Sequence, residues 1–298
     1  MRTRMCRSGY GESEPPAPRV VLVIYNEFAD WQRGDPHEAV VDQETPRTAR
    51  SVADALRDRY AVSLVAVRDE DDVRDTIAPL DLDTSLVFNV CESLGGISLY
   101  ESRIPRLLDR MGACYVGGNA ENLDACVDKA CAKGRLREHG IATAAYQVFQ
   151  HPDDEIVVPL PAIVKPLWED SSIGIGPKSV ATSAESLRRL VGHVLDVYRQ
   201  PALAEEFLTG REFSVSLWGN GKTQAIGISE IDFSECDDPL DRVVHFDSKW
   251  FDSRFPAQHP AHVDGDLRSQ LERLGETAYH ALGCRDYARV DIREMDGT

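Results

Sequence analysis

Ala162-Ile163-Val164-Lys165-Pro166 runs into Glu169-Asp170-Ser171-Ser172-Ile173-Gly174-Ile175-Gly176. An apolar strand thus ends on a lysine and opens into a loop of small residues. Such a loop lets backbone N–H groups approach a polyphosphate, and the lysine supplies charge. Serines and glycines also gather in plain surface turns, so the segment has to be read with its surroundings. It is not a Walker A motif, because no GxxxxGK[ST] is present.

Downstream, Thr182 and Glu185 predict a capping box for a helix whose Leu187, Leu190, Val191, Val194, Leu195 and Tyr198 form one apolar stripe. Strands are predicted over 202–207, 212–217 and 224–231 as an antiparallel set. A last helix follows over about 266–282, stopped by Gly283, and then a strand over 287–293. Upstream, a helix is predicted over 122–139, ended by Gly140. The N-terminal part alternates strands (Val20 to Tyr25, Val62 to Val67, Leu86 to Val90) with helices, one over about 99–110. Another helix starts with Thr45 as cap and Pro46 at its first position. Alternation of this kind predicts a parallel sheet covered by helices. Asn26 to Gln43 is unusually long for a strand-to-helix loop, and loops of this length tend to be functional or disordered.

The 298 residues suit two or three lobes, and 42% hydrophobic with 28% charged residues predicts a packed core. A net charge of −17 argues against general affinity for nucleic acid or anionic membrane. No run of about 18 apolar residues exists to span a bilayer. The opening MRTRMCRSGYGESEPPAPR has no apolar stretch after its basic residues and cannot act as a secretory signal; it reads as a disordered lead-in over 1–18. Seven irregularly spaced cysteines without a CxxC suggest free thiols in a reducing cytoplasm.

Several residues invite chemistry, each with an ordinary alternative. Lys129 lies on a helix with mostly small neighbours, where a lysine is commonly solvated. Glu205-Glu206-Phe207-Leu208 ends a strand and its two glutamates point to opposite faces; an acidic edge strand would look the same. Glu212 begins the next strand. Arg289 and Asp291 project from one strand face, as a cross-face ion pair also would. Glu92, in Asn89-Val90-Cys91-Glu92-Ser93, follows a buried strand, where open α/β sheets bind ligands, but could equally be a helix-start carboxylate.

In order and spacing, Lys129, Ala162-Ile163-Val164-Lys165-Pro166, Ser171-Ser172-Ile173-Gly174, Glu205-Glu206-Phe207-Leu208, Gly210-Arg211-Glu212-Phe213 and Gly283-Cys284-Arg285-Asp286-Tyr287-Ala288-Arg289-Val290-Asp291 resemble the D-alanine–D-alanine ligase family of the ATP-grasp superfamily. The resemblance covers about 86 to 298. It implies an α/β protein with the ATP-grasp fold: an N-terminal Rossmann-like parallel-sheet domain over 19–120, then α+β lobes over 121–203 and 204–298, the last incomplete, with ATP between them. It implies Lys129 and Lys165 on the ATP phosphates, with Ser171 and Ser172 in the loop that covers them. Glu205, beside Glu206 and Phe207, would accept from the adenine amino group, the Leu208 backbone would read the ring edge, and Glu212 would bind the ribose. Lys249 matches the lysine of a mobile substrate loop, Arg289 would stabilise the transferred phosphate and the oxyanion, and Asp291 would bind Mg²⁺, with Mn²⁺ as a substitute. The implied activity is ATP-dependent carboxylate–amine ligation through an acyl phosphate, on amino-acid or peptide substrates, in the cytoplasm. A homodimer is allowed by it.

Three departures qualify the match. The family's glycine-rich stretch after the first strand is replaced by Tyr25-Asn26-Glu27-Phe28-Ala29-Asp30-Trp31, where Glu27 stands as a candidate for the substrate amine, as does Glu92. Trp250 replaces a tyrosine that follows the loop lysine. The family's next strand supplies a glutamate and an asparagine to the metals, and this sequence ends before it, at Asp296-Gly297-Thr298. An end mid-hairpin predicts truncation relative to the natural product. It also leaves open a catalytically silent nucleotide- or amino-acid-binding protein.

Overall fold

The computed structural model describes residues 18–27, 31, 34–252 and 257–295, the Asp42 side chain excepted. Nearly all of the lead-in, Phe28-Ala29-Asp30 and the terminal Asp296-Gly297-Thr298 lie outside them. The chain divides into two compact units: 1–33, 39–124 and 219–222 make one, and 34–38, 125–218 and 223–298 the other.

The first unit is built on a parallel sheet of β1 (Val20–Asn26), β2 (Ala61–Val67), β3 (Ser85–Asn89) and β4 (Tyr115–Val116), in the order β2-β1-β3-β4. Its helices are α1 (Val40–Leu56), α2 (Glu70–Ile77) and α3 (Arg103–Met111). The unbroken apolar run of β1 serves both faces. Val21 and Val23 pack with Ala49 and Ala53 of α1, while Leu22 and Ile24 join Val73, Ile77, Ile104 and Leu108 on the other side.

Two expectations change here. Helix α1 starts at Val40, so Thr45 and Pro46 lie inside it rather than at its start. Burial of Val41 and Thr45 outweighs the one backbone hydrogen bond that an internal proline forfeits. A 3₁₀ turn over Pro36–Ala39 also occupies part of the stretch expected as loop. The helix expected over 99–110 is a 3₁₀ turn at Ser98–Tyr100 followed by α3.

The helix expected over 122–139 is two: α4 (Ala120–Val127) and α5 (Lys129–Glu138). The break is made by Asp128, whose carboxylate accepts from the Cys131 amide as the N-cap of α5.

The second unit holds two antiparallel sheets. One contains β5 (Tyr146–Phe149), β6 (Ala162–Pro166), β7 (Val180–Ala181) and β8 (Ala202–Glu206), ordered β5-β8-β6-β7. Its apolar face meets Leu187, Val191 and Val194 of α6 (Ala184–Tyr198). Ser183 and Ser186, not Thr182 and Glu185, form the capping box.

The other sheet contains β9 (Glu212–Trp218), β10 (Gln224–Asp232), β11 (Ala257–Pro260) and β12 (Tyr287–Arg293), ordered β11-β10-β9-β12. It packs Phe213, Val215 and Leu217 on Leu271 and Tyr279 of α8 (Gly265–Ala281). The short helix α7 is Phe246–Trp250. Strand β8 therefore does not join β9 and β10 as the sequence suggested. Its alternate residues Ala202 and Ala204 belong to the α6 core, and the linker 207–211 carries the chain to the next sheet.

Candidate functional site

Strand alternation sets the first half of the site. On β6, Ala162, Val164 and Pro166 are buried, which turns Lys165 to the opposite face. On β8, Glu205 pairs in register with Ile163, so Lys165 is its diagonal neighbour. The Lys165 Nζ lies 3.2 Å from Glu205 Oε2, and Lys133 Nζ, reaching over from α5, lies 3.4 Å from the same oxygen. Burial alone would raise the Glu205 pKa, but the two ammonium groups outweigh it and hold the carboxyl below its ordinary value. Burial lowers the Lys133 pKa, opposed by Glu205. Glu206 points the other way and accepts from the Ala145 amide at 3.4 Å.

Lys129 opens α5, and its ammonium is withdrawn from solvent although parts of the residue remain accessible. It donates to the carbonyls of Pro166 (3.0 Å), Leu167 (3.2 Å) and Glu169. These three bonds occupy its three donors. Desolvation, aided by repulsion from Lys165, lowers its pKa from 10.5 to about 8.

The second half lies on β9 and β12. Phe213, Val215 and Leu217 face α8, leaving Glu212 and Ser214 on the other face beside their register partners Arg293 and Asp291. Arg293 donates to Glu212 Oε2. The Asp291 carboxylate accepts from Ser214 Oγ at 2.8 Å and from Arg289 Nε and Nη2 at 2.9 and 3.2 Å. Burial raises the Glu212 pKa in spite of Arg293. The same carboxyl also feels repulsion from Asp291 and attraction to Lys165, so the two halves lie close enough to interact within this unit. Phe207 lies beside it, its ring 5.7 Å from the Arg293 guanidinium carbon, and half-buried Leu208 follows in the linker.

The serine–glycine loop is tightly held. Ser171, Ser172 and Gly174 all have left-handed φ (50°, 65° and 77°), a conformation that costs a serine about 1 kcal/mol or more. Contacts with 244–250 support it: Ser172 Oγ donates to the Val244 carbonyl (2.8 Å), Phe246 N to the Ile175 carbonyl (2.8 Å) and Trp250 Nε1 to the Ser171 carbonyl (3.1 Å). The indole N–H at 250 thus makes a tie to the loop where the sequence lacks a tyrosine hydroxyl. Exposed Lys249 sits on α7, its Nζ 5.8 Å from the Trp250 ring centre.

A buried carboxylate completes the cluster. Glu38, 2% exposed, accepts from the Tyr198 hydroxyl at 3.1 Å to each oxygen, from Gly174 N at 2.8 Å and from Asp35 N at 3.1 Å. Desolvation raises its pKa. Gly34 makes this approach feasible, since a Cβ there would meet a Tyr198 ring carbon at 2.1 Å.

Glu27 and Glu92 are exposed in the first unit, at the carboxyl ends of the neighbouring strands β1 and β3. Asn26 orders this end: its Oδ1 accepts from Glu92 N at 3.0 Å and its Nδ2 donates to Ser93 Oγ at 3.1 Å.

Sequence reasoning missed Lys133, Arg293 and Glu38. Lys133 is four residues after Lys129 on one helix, and Arg293 continues the two-residue alternation of Arg289 and Asp291, so both had a periodic signal. Glu38 had none.

A model of the family described as D-ala D-ala ligase C-terminus matches residues 136–297, more than half of the chain. The chain belongs to this family. Among relatives of the ligase family, the D-alanine–D-alanine ligase of Citrifermentans bemidjiense is 31% identical over 199 residues, which are 64% of this chain and 59% of that protein. A Sinorhizobium fredii protein described as uncharacterized protein y4sG is 28% identical over 217 residues, 72% of this chain and 62% of that one. The chain thus spans about three-fifths of the curated relatives it matches. The structure of Bacillus anthracis D-alanine–D-alanine ligase complexed with ATP is similar with a TM-score of 0.68 at 19% identity, covering 94% of this chain and 83% of that one. That likeness concerns the fold, which is the α/β ATP-grasp fold the ligase-like motifs implied.

Proposed function

We propose that this chain is an ATP-dependent ligase that joins a carboxylate to an amine, with amino acids or peptides as substrates and release of ADP and phosphate. One observation carries the reading. The Lys133 and Lys165 ammonium groups share one Glu205 oxygen, and the Lys129 ammonium lies near enough to Lys165 to be repelled by it, in a largely buried setting. Ammonium groups held this close repel one another, and a polyphosphate would relieve that repulsion.

In this reading Lys165 binds the ATP phosphates directly under the loop of Ser171 and Ser172, and Lys129 joins it by giving up one of its carbonyl partners for phosphate. Glu205, flanked by Glu206 and Phe207, and the Leu208 backbone receive the adenine, and Glu212 the ribose. Lys249 and Arg289 neutralise charge as the γ-phosphoryl group moves to the substrate carboxylate, making an acyl phosphate that an amine can attack. Work of this kind is chiefly positioning and charge neutralisation. Asp291 would hold Mg²⁺ (or Mn²⁺) by one carboxylate, with phosphate oxygens and water completing a shell that such ions accept. When bound, the ion would neutralise phosphate charge. Glu27 and Glu92 are candidates for the substrate amine. We further propose lobes at 19–120, 121–203 and 204–298, a cytoplasmic setting and a homodimer. Among the described residues no helix is long and apolar enough to cross a membrane.

A second reading, a nucleotide-binding protein without turnover, draws on one feature. Asp291 is already engaged by Arg289 and Ser214, and no group of three metal-ligating side chains occurs among the described residues.

The test is calorimetric titration with Mg²⁺–ATP beside an ADP-release assay over a panel of amino acids, for the parent chain and Lys165→Ala. The ligase reading expects amino-acid-dependent ADP release that falls by about 10²-fold or more in kcat/KM in the variant. ATP binding without release supports the second reading, and a variant within about threefold of the parent counts against the site.

A further inference from the structure

Lys165 has two claims upon it. The proposed nucleotide reading, on which this inference rests, gives its ammonium to phosphate, yet in the structure it is paired with Glu205 at 3.2 Å. Were Lys165 its only partner, Glu205 would be left as a mostly buried carboxylate without a counter-charge when Lys165 swung away, and breaking such a pair is strongly destabilising. Lys133 removes the conflict. Its ammonium lies 3.4 Å from the same Glu205 oxygen, and its position does not depend on that contact alone. It also donates to the Ala144 carbonyl at 3.3 Å and sits 5.3 Å from the centre of the Tyr146 ring, while the Tyr146 hydroxyl donates to the Ala130 carbonyl of the same helix. Lys133 is thus braced between α5 and β5, whereas Lys165 projects from the end of β6. The two cations differ in what else holds them.

We infer that Lys133 is a positioning residue: it remains as the counter-ion of Glu205 when Lys165 turns to phosphate, and so frees Lys165 to bind the nucleotide's charged end. Its contribution should appear in the phosphate part of nucleotide affinity and not in the adenosine part. The exchange involves no bond making or breaking, only a change of partner for one ammonium group.

The experiment is calorimetric titration of the full chain with adenosine and with ATP, reading the ratio of the two affinities. The parent chain, Lys133→Met, Lys133→Arg, Glu205→Gln and the double variant Lys133→Met with Glu205→Gln are compared. The expected result is that Lys133→Met lowers the ATP-to-adenosine ratio by about tenfold or more, the equivalent of roughly 1.4 kcal/mol. Lys133→Arg keeps the ratio near that of the parent, and removing the Glu205 charge as well restores it. A purely structural role for Lys133 would weaken both ligands together and would not be rescued by the second substitution. An unchanged ratio in Lys133→Met, beside a parent that binds ATP more tightly than adenosine, overturns the inference and leaves the nucleotide reading intact. A parent chain with no preference for ATP overturns both. Should Lys133→Met fail to fold, the double variant against Glu205→Gln decides: equal ratios support the inference, and a further fall overturns it.

Discussion

Replacing Glu38 by alanine removes one acceptor group from three donors: the Tyr198 hydroxyl and the amides of Gly174 and Asp35. A buried donor left without a partner costs about 1–3 kcal/mol. Water entering the vacated space would satisfy part of the set, and relief of the carboxylate's own desolvation offsets more, so a net loss of about 2–3 kcal/mol is expected. At about 2–4 °C per kcal/mol for a unit of this size, the melting temperature should fall by roughly 5–10 °C. Glu38→Gln should recover little, because its amide nitrogen sets a donor against donors. The pH dependence carries a sign. Burial raises the Glu38 pKa above its ordinary 4.5 in the folded state, so the folded protein binds more protons than the unfolded one above that pH. Stability should therefore fall as pH rises from 4.5 through the raised value, and Glu38→Gln should lack that slope. Thermal denaturation followed by near-ultraviolet circular dichroism at several pH values gives both quantities, and hydrogen exchange at the Gly174 amide gives the local effect. A Glu38→Ala melting temperature within about 1 °C of the parent, with Gly174 protection unchanged, would refute the idea that this carboxylate holds the loop.

Two further outcomes are expected. The folded-state pKa of Lys129, about 8 against an ordinary 10.5, means that the unfolded chain binds more protons between those values. Stability measured by urea denaturation should then rise by about 2–3 kcal/mol from pH 8 to 10.5 in the parent relative to Lys129→Met, and parallel curves would count against the buried ammonium. Trp250→Phe removes the indole N–H that holds the Ser171 carbonyl at 3.1 Å. Amide exchange over 171–176 should quicken by about fivefold, the equivalent of roughly 1 kcal/mol, with the melting temperature little changed; unaltered exchange would show that the tie is idle.

The sequence alone determined much of this protein, because several of its signals are local. The unbroken run Val20 to Tyr25 reads as a strand covered on both faces, and β1 does pack α1 on one side and α2 and α3 on the other. Glycines at 140 and 283 end helices because left-handed φ there suits a residue without a Cβ. The order of lysines, glutamates and the Arg289–Asp291 strand resembles the ligase family, and strand alternation alone puts those two side chains on one face.

What the sequence left open was decided by contacts between distant segments. Thr45 and Pro46 read as a helix start, but burial of Val41 carried α1 a turn and a half further back. Strand β8 looked like a neighbour of β9, yet its alanines fit the α6 core and it pairs with β5 and β6. Glu38 had no local signal, because its partners at Gly174 and Tyr198 are far away in the chain. The sharing of Glu205 between Lys133 and Lys165 is likewise tertiary: one lysine comes from a helix and the other from a strand. Their common oxygen is a property of how α5, β6 and β8 pack, not of any spacing along the chain.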